Sequence, residues 1–178
     1  FGYIPATDSD YVWFMQYDPS ISDLADNTPE ELKSFCLKLL GKFPSAVQDI
    51  INLNNFEMTY IWNTRDFDPL PAFHKKNIVL IGDAAHLALP FTSAGTTNAI
   101  IDAKLLSSLI LQYKDYEDAF RIFYQQRKED IVNHLNLGRY LKKIFLNPEE
   151  QDDDNIPVPL IPHVADDLAE ASNKEIQI

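Results

Sequence analysis

The spacing of apolar positions changes several times along this chain, and each change marks an element. Phe1-Gly2-Tyr3-Ile4-Pro5 and Tyr11-Val12-Trp13-Phe14-Met15 flank a polar turn, Asp8-Ser9-Asp10, as in a β-hairpin. Thr28-Pro29-Glu30-Glu31 reads as a helix start. Thr28 can cap, Pro29 suits the first turn, and Glu31 completes a capping box. Leu32, Phe35, Cys36, Leu39 and Leu40 then recur on one helical face, and a second short helix is expected over 44–53. Phe56, Met58, Tyr60 and Trp62 alternate with Glu57, Thr59 and Ile61, the period of a strand. Ile78-Val79-Leu80-Ile81 is an unbroken apolar run that suits a fully buried strand. A helical pattern runs from Gly95 to Gln112 through Ile100, Ala103, Leu105, Leu106, Leu109 and Ile110. A longer helix follows, with Tyr116, Ala119, Phe120, Phe123, Tyr124, Arg127, Ile131 and Leu135 on a stripe. Gly138 to Leu141 continues or restarts it, and Asn147-Pro148 stops it.

Composition narrows the possibilities. At 178 residues and 46% hydrophobic, the chain can bury a core of its own. It has no apolar stretch of about 18 residues, so no transmembrane helix is expected. Its net charge of −12 argues against nucleic-acid binding, which needs a basic face. Residues 149–178 hold nine acids against Lys174, a net of −8, and read as a solvated tail with Pro157, Pro159 and Pro162. Cys36 is the one cysteine, which excludes an intrachain disulfide and makes a reducing cytoplasm the default location. Its place on the apolar helix face favours a buried structural thiol over a reactive one. The histidines at 74, 86, 134 and 163 lack metal-ligand spacing, and no Ser-His-Asp arrangement is legible.

The chemistry concentrates between Val79 and Ala103. An apolar strand ends in Gly82-Asp83, a small-residue loop runs from Pro90 to Gly95, and a helix opens there. A helix N-terminus offers free N–H groups and partial positive charge to an anionic or electron-rich ligand. Glycine permits close backbone approach, and an aspartate accepts hydrogen bonds from sugar hydroxyls.

At these residues the chain resembles the class A FAD monooxygenases, the aromatic hydroxylases typified by p-hydroxybenzoate hydroxylase. Gly82-Asp83-Ala84-Ala85-His86 matches the family's second FAD motif without a gap, and Pro90, Phe91, Gly95, Asp102 and Ala103 fall at its spacing. Arg65-Asp66 and Pro69 match the family's approach to that motif. The resemblance implies FAD as cofactor, with Gly82, Asp83, Pro90, Ser93, Ala94, Gly95 and Thr96 as cofactor-binding residues. Asp83 would bind the ribityl chain, and the Gly95 loop would set a helix N-terminus beside the flavin pyrimidine ring. It implies NADH or NADPH as reductant, an aromatic or other ring-containing small molecule as substrate, and no catalytic side chain, because the flavin carries the chemistry. His86 would pack or support rather than transfer protons. Three positions depart from the family: Ser93 replaces the first loop glycine, Ala94 a Gln or Glu, and Thr97 an Asn.

The implied fold is an α/β, mixed α+β, C-terminal part of an FAD/NAD(P)-binding Rossmann-like fold. Remnants of the substrate-domain sheet precede it and long helices follow. Residues 1–72 would end the substrate-binding domain, 73–147 form the FAD-binding portion, and 148–178 the acidic tail. The family opens with a Gly-x-Gly-x-x-Gly unit that binds the ADP half of FAD. The five glycines here, Gly2, Gly41, Gly82, Gly95 and Gly138, cannot build one, so that N-terminal ADP-binding region is expected as a missing partner. Two alternatives remain open: a non-catalytic module mediating protein contacts, and another FAD family such as a prenyl reductase or halogenase.

Overall fold

In the computed structural model, which describes residues 1–20, Leu24 and 27–150, the chain forms two compact units that divide between Asn63 and Thr64. Helices dominate, and the sheets are small. Segment 64–72, expected with the first region, packs with the second unit: Leu70 joins its core, and its carbonyl accepts from Tyr124 Oη at 3.1 Å.

In the first unit, β1 (Gly2–Pro5) and β2 (Tyr11–Phe14) form the expected antiparallel hairpin, with Tyr3 opposite Trp13 and Ile4 opposite Val12. Thr7 closes the turn, its hydroxyl donating to Asp10 at 2.7 Å. Helix α1 (Pro29–Leu39) starts where the capping residues place it, and Thr28 Oγ1 accepts from the Glu31 amide at 3.3 Å. Helix α2 (Ser45–Leu53) follows Pro44. Leu32, Phe35, Cys36, Leu40, Ile51 and Phe56 form the core, with Trp13 and Tyr17 packed against it. Burial pushes the Cys36 thiol up to about 11, so it stays protonated and behaves as a small apolar side chain.

The strand expected over 56–62 does not form. Phe56–Met58 is a 3-10 turn, capped by Asn55 Oδ1 accepting from the Glu57 amide, and no strand follows. Of the alternating side chains only Phe56 is buried, while Met58, Tyr60 and Trp62 stand exposed. Alternation signals a strand only when a neighbour pairs with it, and none of the described residues does. The run at 78–81 is likewise not a fully buried strand. Only Ile78–Val79 is extended (β4), paired with His74–Lys75 (β3), and Ile78 is 67% exposed. A strand is buried on both faces when layers cover them, and β3 is its one partner among the described residues.

The second unit is built on α4 (Gly95–Gln112) and α5 (Tyr116–Leu146). Asp115 caps α5, accepting from the Glu117 amide at 2.9 Å. Its buried stripe is the expected one, with Ala119, Phe120, Phe123, Arg127, Ile131 and Leu135, and continues through Gly138, while Tyr116 lies outside it. On α4 the buried stripe differs from the apolar pattern. Asn98, Asp102, Leu106 and Leu109 face inward, and Ile100 is 63% exposed. A short helix, α3 (Asp83–His86), and a 3-10 turn (Pro90–Thr92) bridge β4 to α4. Asn147 ends α5 and Pro148–Glu150 is a further 3-10 turn. The rest of the expected tail, with its three prolines, lies outside the described residues.

Gly138 sits mid-helix facing Leu89, where an added Cβ would meet the Leu89 carbonyl at 3.5 Å, an ordinary contact. Gly138→Ala should therefore stabilise the chain by about 0.5–1 kcal/mol through helix propensity. Gly138→Leu should destabilise it by displacing Leu89. Urea unfolding of both variants checks this, and loss of stability in the alanine variant contradicts the packing described.

Candidate cofactor site

Gly82 is the pivot of the site. Its φ of 55° and ψ of −142° belong to glycine, and a Cβ there would come within 3.1 Å of the Ala99 Cβ. This turn directs Asp83, the first residue of α3, outward into an exposed position. The chain then returns through Pro90–Thr92 and reverses at Ser93, which is left-handed (φ 52°, ψ 18°) and exposed. That conformation is the physical reason a glycine suits this position, and Ser93 adopts it at a cost of about 1 kcal/mol. Ala94 leads into α4, and Gly95 and Thr96 are its first residues. No side chain caps this helix, whose first amides have no intrahelical acceptor. Asp83 Oδ1 lies 3.9 Å from the point where a Gly95 Cβ would stand. Gly82, Asp83 and Gly95 are thus brought together, with Ser93, Ala94 and Thr96 on the adjoining turn and Pro90 at its start.

A buried polar network lies behind this surface. The fully buried Asp102 accepts three hydrogen bonds: from the Gly82 amide at 2.9 Å and His86 Nε2 at 2.6 Å on Oδ2, and from Arg127 Nε at 2.7 Å on Oδ1. Arg127 also donates to Asn98 Oδ1 at 2.8 Å and to Asp130 Oδ2 at 2.9 Å. Asn98 Nδ2 donates to the Ala94 carbonyl at 3.1 Å. Burial pushes the Asp102 carboxyl upward, but hydrogen bonds from His86, Arg127 and the Gly82 amide outweigh it and hold the carboxyl below its ordinary value of 3.8. His134, half-buried on α5, lies 3.4 Å from Thr92 Oγ1. Burial lowers its pKa first, and electrostatic interactions with His86 and with the Arg127 guanidinium add to this.

His86 is 3% exposed and faces Asp102 and Phe73. Arg127 covers no apolar surface for its own sake but anchors the network. Asn98 was not singled out by the sequence, and the signal available was its spacing of four residues from Asp102 on one helix face. Arg65 has no place in this network, whereas Asp66 and Asp68 pair with Arg139 of α5. A shallow apolar pocket between Leu70, Phe73, Tyr124 and Ile131 includes none of the site residues. Among the described residues no group of three acidic, histidine or cysteine side chains is placed to hold a metal.

Comparison with known proteins decides the family. A family model described as squalene epoxidase matches residues 20–152. The chain belongs to this family of FAD-dependent monooxygenases. Among its monooxygenase relatives, the FAD-dependent monooxygenase thnD of Trichoderma harzianum is 31% identical over 151 residues, covering 78% of this chain and 36% of that protein. The 6-hydroxynicotinate 3-monooxygenase of Bordetella bronchiseptica is 37% identical over 70 residues, covering 38% of this chain and 18% of that monooxygenase. The crystal structure of Klebsiella pneumoniae HpxO complexed with FAD and uric acid shares the fold, with a TM-score of 0.64 at 23% identity over 69% of this chain and 31% of that one. The chain spans about a third or less of the length of these proteins.

Three outcomes follow for this site. Gly82→Ala should cost about 1–3 kcal/mol of stability because a Cβ meets both strain and Ala99, whereas Ser93→Gly should raise stability by about 0.5–1 kcal/mol by removing left-handed strain. Thermal melts compare the two, and equal effects contradict the backbone assignment. Asp102→Ala should cost about 3–5 kcal/mol by leaving Arg127 buried without its carboxylate. Because the Asp102 pKa is lowered on folding, its contribution is complete above the ordinary 3.8 and is lost as pH falls through the lower folded value. The stability gap between the native chain and Asp102→Asn should therefore narrow in that acid range. A gap that stays constant as pH falls below 3.8 to full unfolding contradicts this.

Proposed function

We propose that this chain is the C-terminal part of an FAD-dependent, NAD(P)H-driven monooxygenase that hydroxylates an aromatic or other ring-containing small molecule. The observation that carries the reading is the exposed Asp83 carboxylate standing beside the uncapped N-terminus of α4 at Gly95. A dinucleotide cofactor with a polyhydroxyl chain next to a polar ring system needs both an acceptor and a set of free N–H donors, and this surface supplies them.

The residues fit FAD. Asp83 would accept from ribityl hydroxyls, the Gly82 turn lets the backbone approach closely, and the Gly95 and Thr96 amides would face the electron-rich edge of the ring system. Ser93 and Ala94 form the turn that presents those amides, and Pro90 fixes its start with a rigid φ. Bound there, FAD would take electrons from NADH or NADPH and use oxygen to hydroxylate the substrate. The chain's own part is to bind, to orient and to set a fixed positive end where negative charge develops.

Supporting the reading are the family match over residues 20–152, and relatives whose names include 6-hydroxynicotinate 3-monooxygenase and kynurenine 3-monooxygenase, both pointing to small ring substrates. An N-terminal ADP-binding region as partner belongs to the same proposal. A substrate-domain end over 1–63, an FAD-binding portion over 64–147, an acidic tail over 148–178 and a cytoplasmic location belong to the same proposal. Among the described residues no helix is long and apolar enough to cross a membrane.

The test is the visible absorption spectrum of the protein made from its entire gene. Flavin bands that scale with protein and bleach with NADH or NADPH are expected. A folded, colourless product that cannot be reconstituted with FAD would overturn the proposal in favour of the non-catalytic module.

A further inference from the structure

We infer that Arg127, on a helix that supplies none of the expected flavin contacts, is a strut that sets the gap between the two lips of the cofactor site, with Asp102 and Asn98 as its arms. The inference rests on the proposed flavin site and concerns what holds that site in shape.

One lip is Gly82-Asp83 and the other is Ser93-Ala94-Gly95. Each is bound from behind by a polar side chain of α4, and the Ala94 carbonyl also accepts the Asn98 amide at 2.9 Å. Asp102 accepts from the Gly82 amide at 2.9 Å, and Asn98 donates to the Ala94 carbonyl at 3.1 Å. Both side chains are bound by the same guanidinium, through Nε to Asp102 at 2.7 Å and through a terminal nitrogen to Asn98 at 2.8 Å. Arg127 is 2% exposed, Asn98 4% and Asp102 0%, so water cannot replace these bonds. A planar fork fixes the spacing of its two acceptors in a way that a flexible ammonium cannot. The spacing of Asp102 and Asn98 therefore passes directly to the two backbone lips, and with it the closeness of Asp83 to the α4 N-terminus. Asp130 takes the remaining guanidinium nitrogen from outside and is half exposed, so it orients Arg127 without reaching either lip.

A network that only stabilised the fold would show no preference for the cofactor. A strut would lower FAD affinity in protein that is still folded. The experiment uses the protein from the entire gene, first shown to bind FAD, which separates failure of the flavin reading from failure of this one. FAD dissociation constants are measured by quenching of flavin fluorescence, well below each variant's melting temperature. The variants are Arg127→Lys, Asn98→Ala and, as a control, Leu135→Ala. Leu135 is buried in the same unit's core and bonds neither lip. Arg127→Lys and Asn98→Ala are expected to weaken FAD about tenfold or more, in the range of ordinary coupling between sites. Leu135→Ala should lower the melting temperature at least as much and leave the dissociation constant within about twofold. Equal weakening in all three variants, or unchanged affinity in both network variants, would overturn the strut. If Arg127→Lys fails to fold, the comparison of Asn98→Ala with Leu135→Ala still decides.

Discussion

Burying an ionised carboxylate costs several kcal/mol unless strong donors surround it. Asp102 meets that condition with a guanidinium, an imidazole and a backbone amide, each from a different place in the chain: α5, α3 and the Gly82 turn. The arrangement of the second unit depends on this satisfaction. Without Asp102 the Gly82 amide loses the partner that holds it, His86 loses its ring acceptor, and Arg127 becomes a buried charge. Hydrophobic contacts among Phe73, Leu106, Phe123 and Leu135 supply area, but they are non-directional and do not specify the turn at Gly82. The polar network does so because its bonds have fixed lengths and angles.

This division of labour explains what could be read from the sequence. The hairpin at 1–15, the start of α1 at Thr28 and the extents of α4 and α5 were legible because their signals are local: turn residues, caps and a 3.6-residue period. Gly82 and Asp83 were legible as chemistry because a string of five residues matched a known motif. The strand reading at 56–62 failed because a strand is a property of pairing, which the apolar pattern does not show, and at 78–81 only Ile78–Val79 pairs, on one edge, with β3. The α4 stripe was misread for a related reason. Its inward face begins with Asn98 and Asp102, polar residues that a hydrophobicity pattern assigns to solvent, and only the donors on α5 make their burial favourable. Arg127 was placed on the α5 stripe, but its three acceptors were not foreseeable without the fold.

The exposed apolar side chains belong to the same account. Tyr3, Ile4, Tyr60, Trp62 and Ile78 lie in or beside segments with strand character, and all are more than half exposed. The matched stretches cover 36% of the thnD protein and 18% of the 6-hydroxynicotinate 3-monooxygenase.

The proposed flavin surface joins the Gly82-Asp83 turn to the N-terminus of α4. Amide hydrogen exchange of the protein from the entire gene, with and without FAD, tests it most directly because it reports position along the chain. The account predicts slowed exchange at 82–86 and 93–98 on adding FAD, with 45–53 unchanged. Cofactor binding that leaves both of those segments exchanging at their original rates would contradict it.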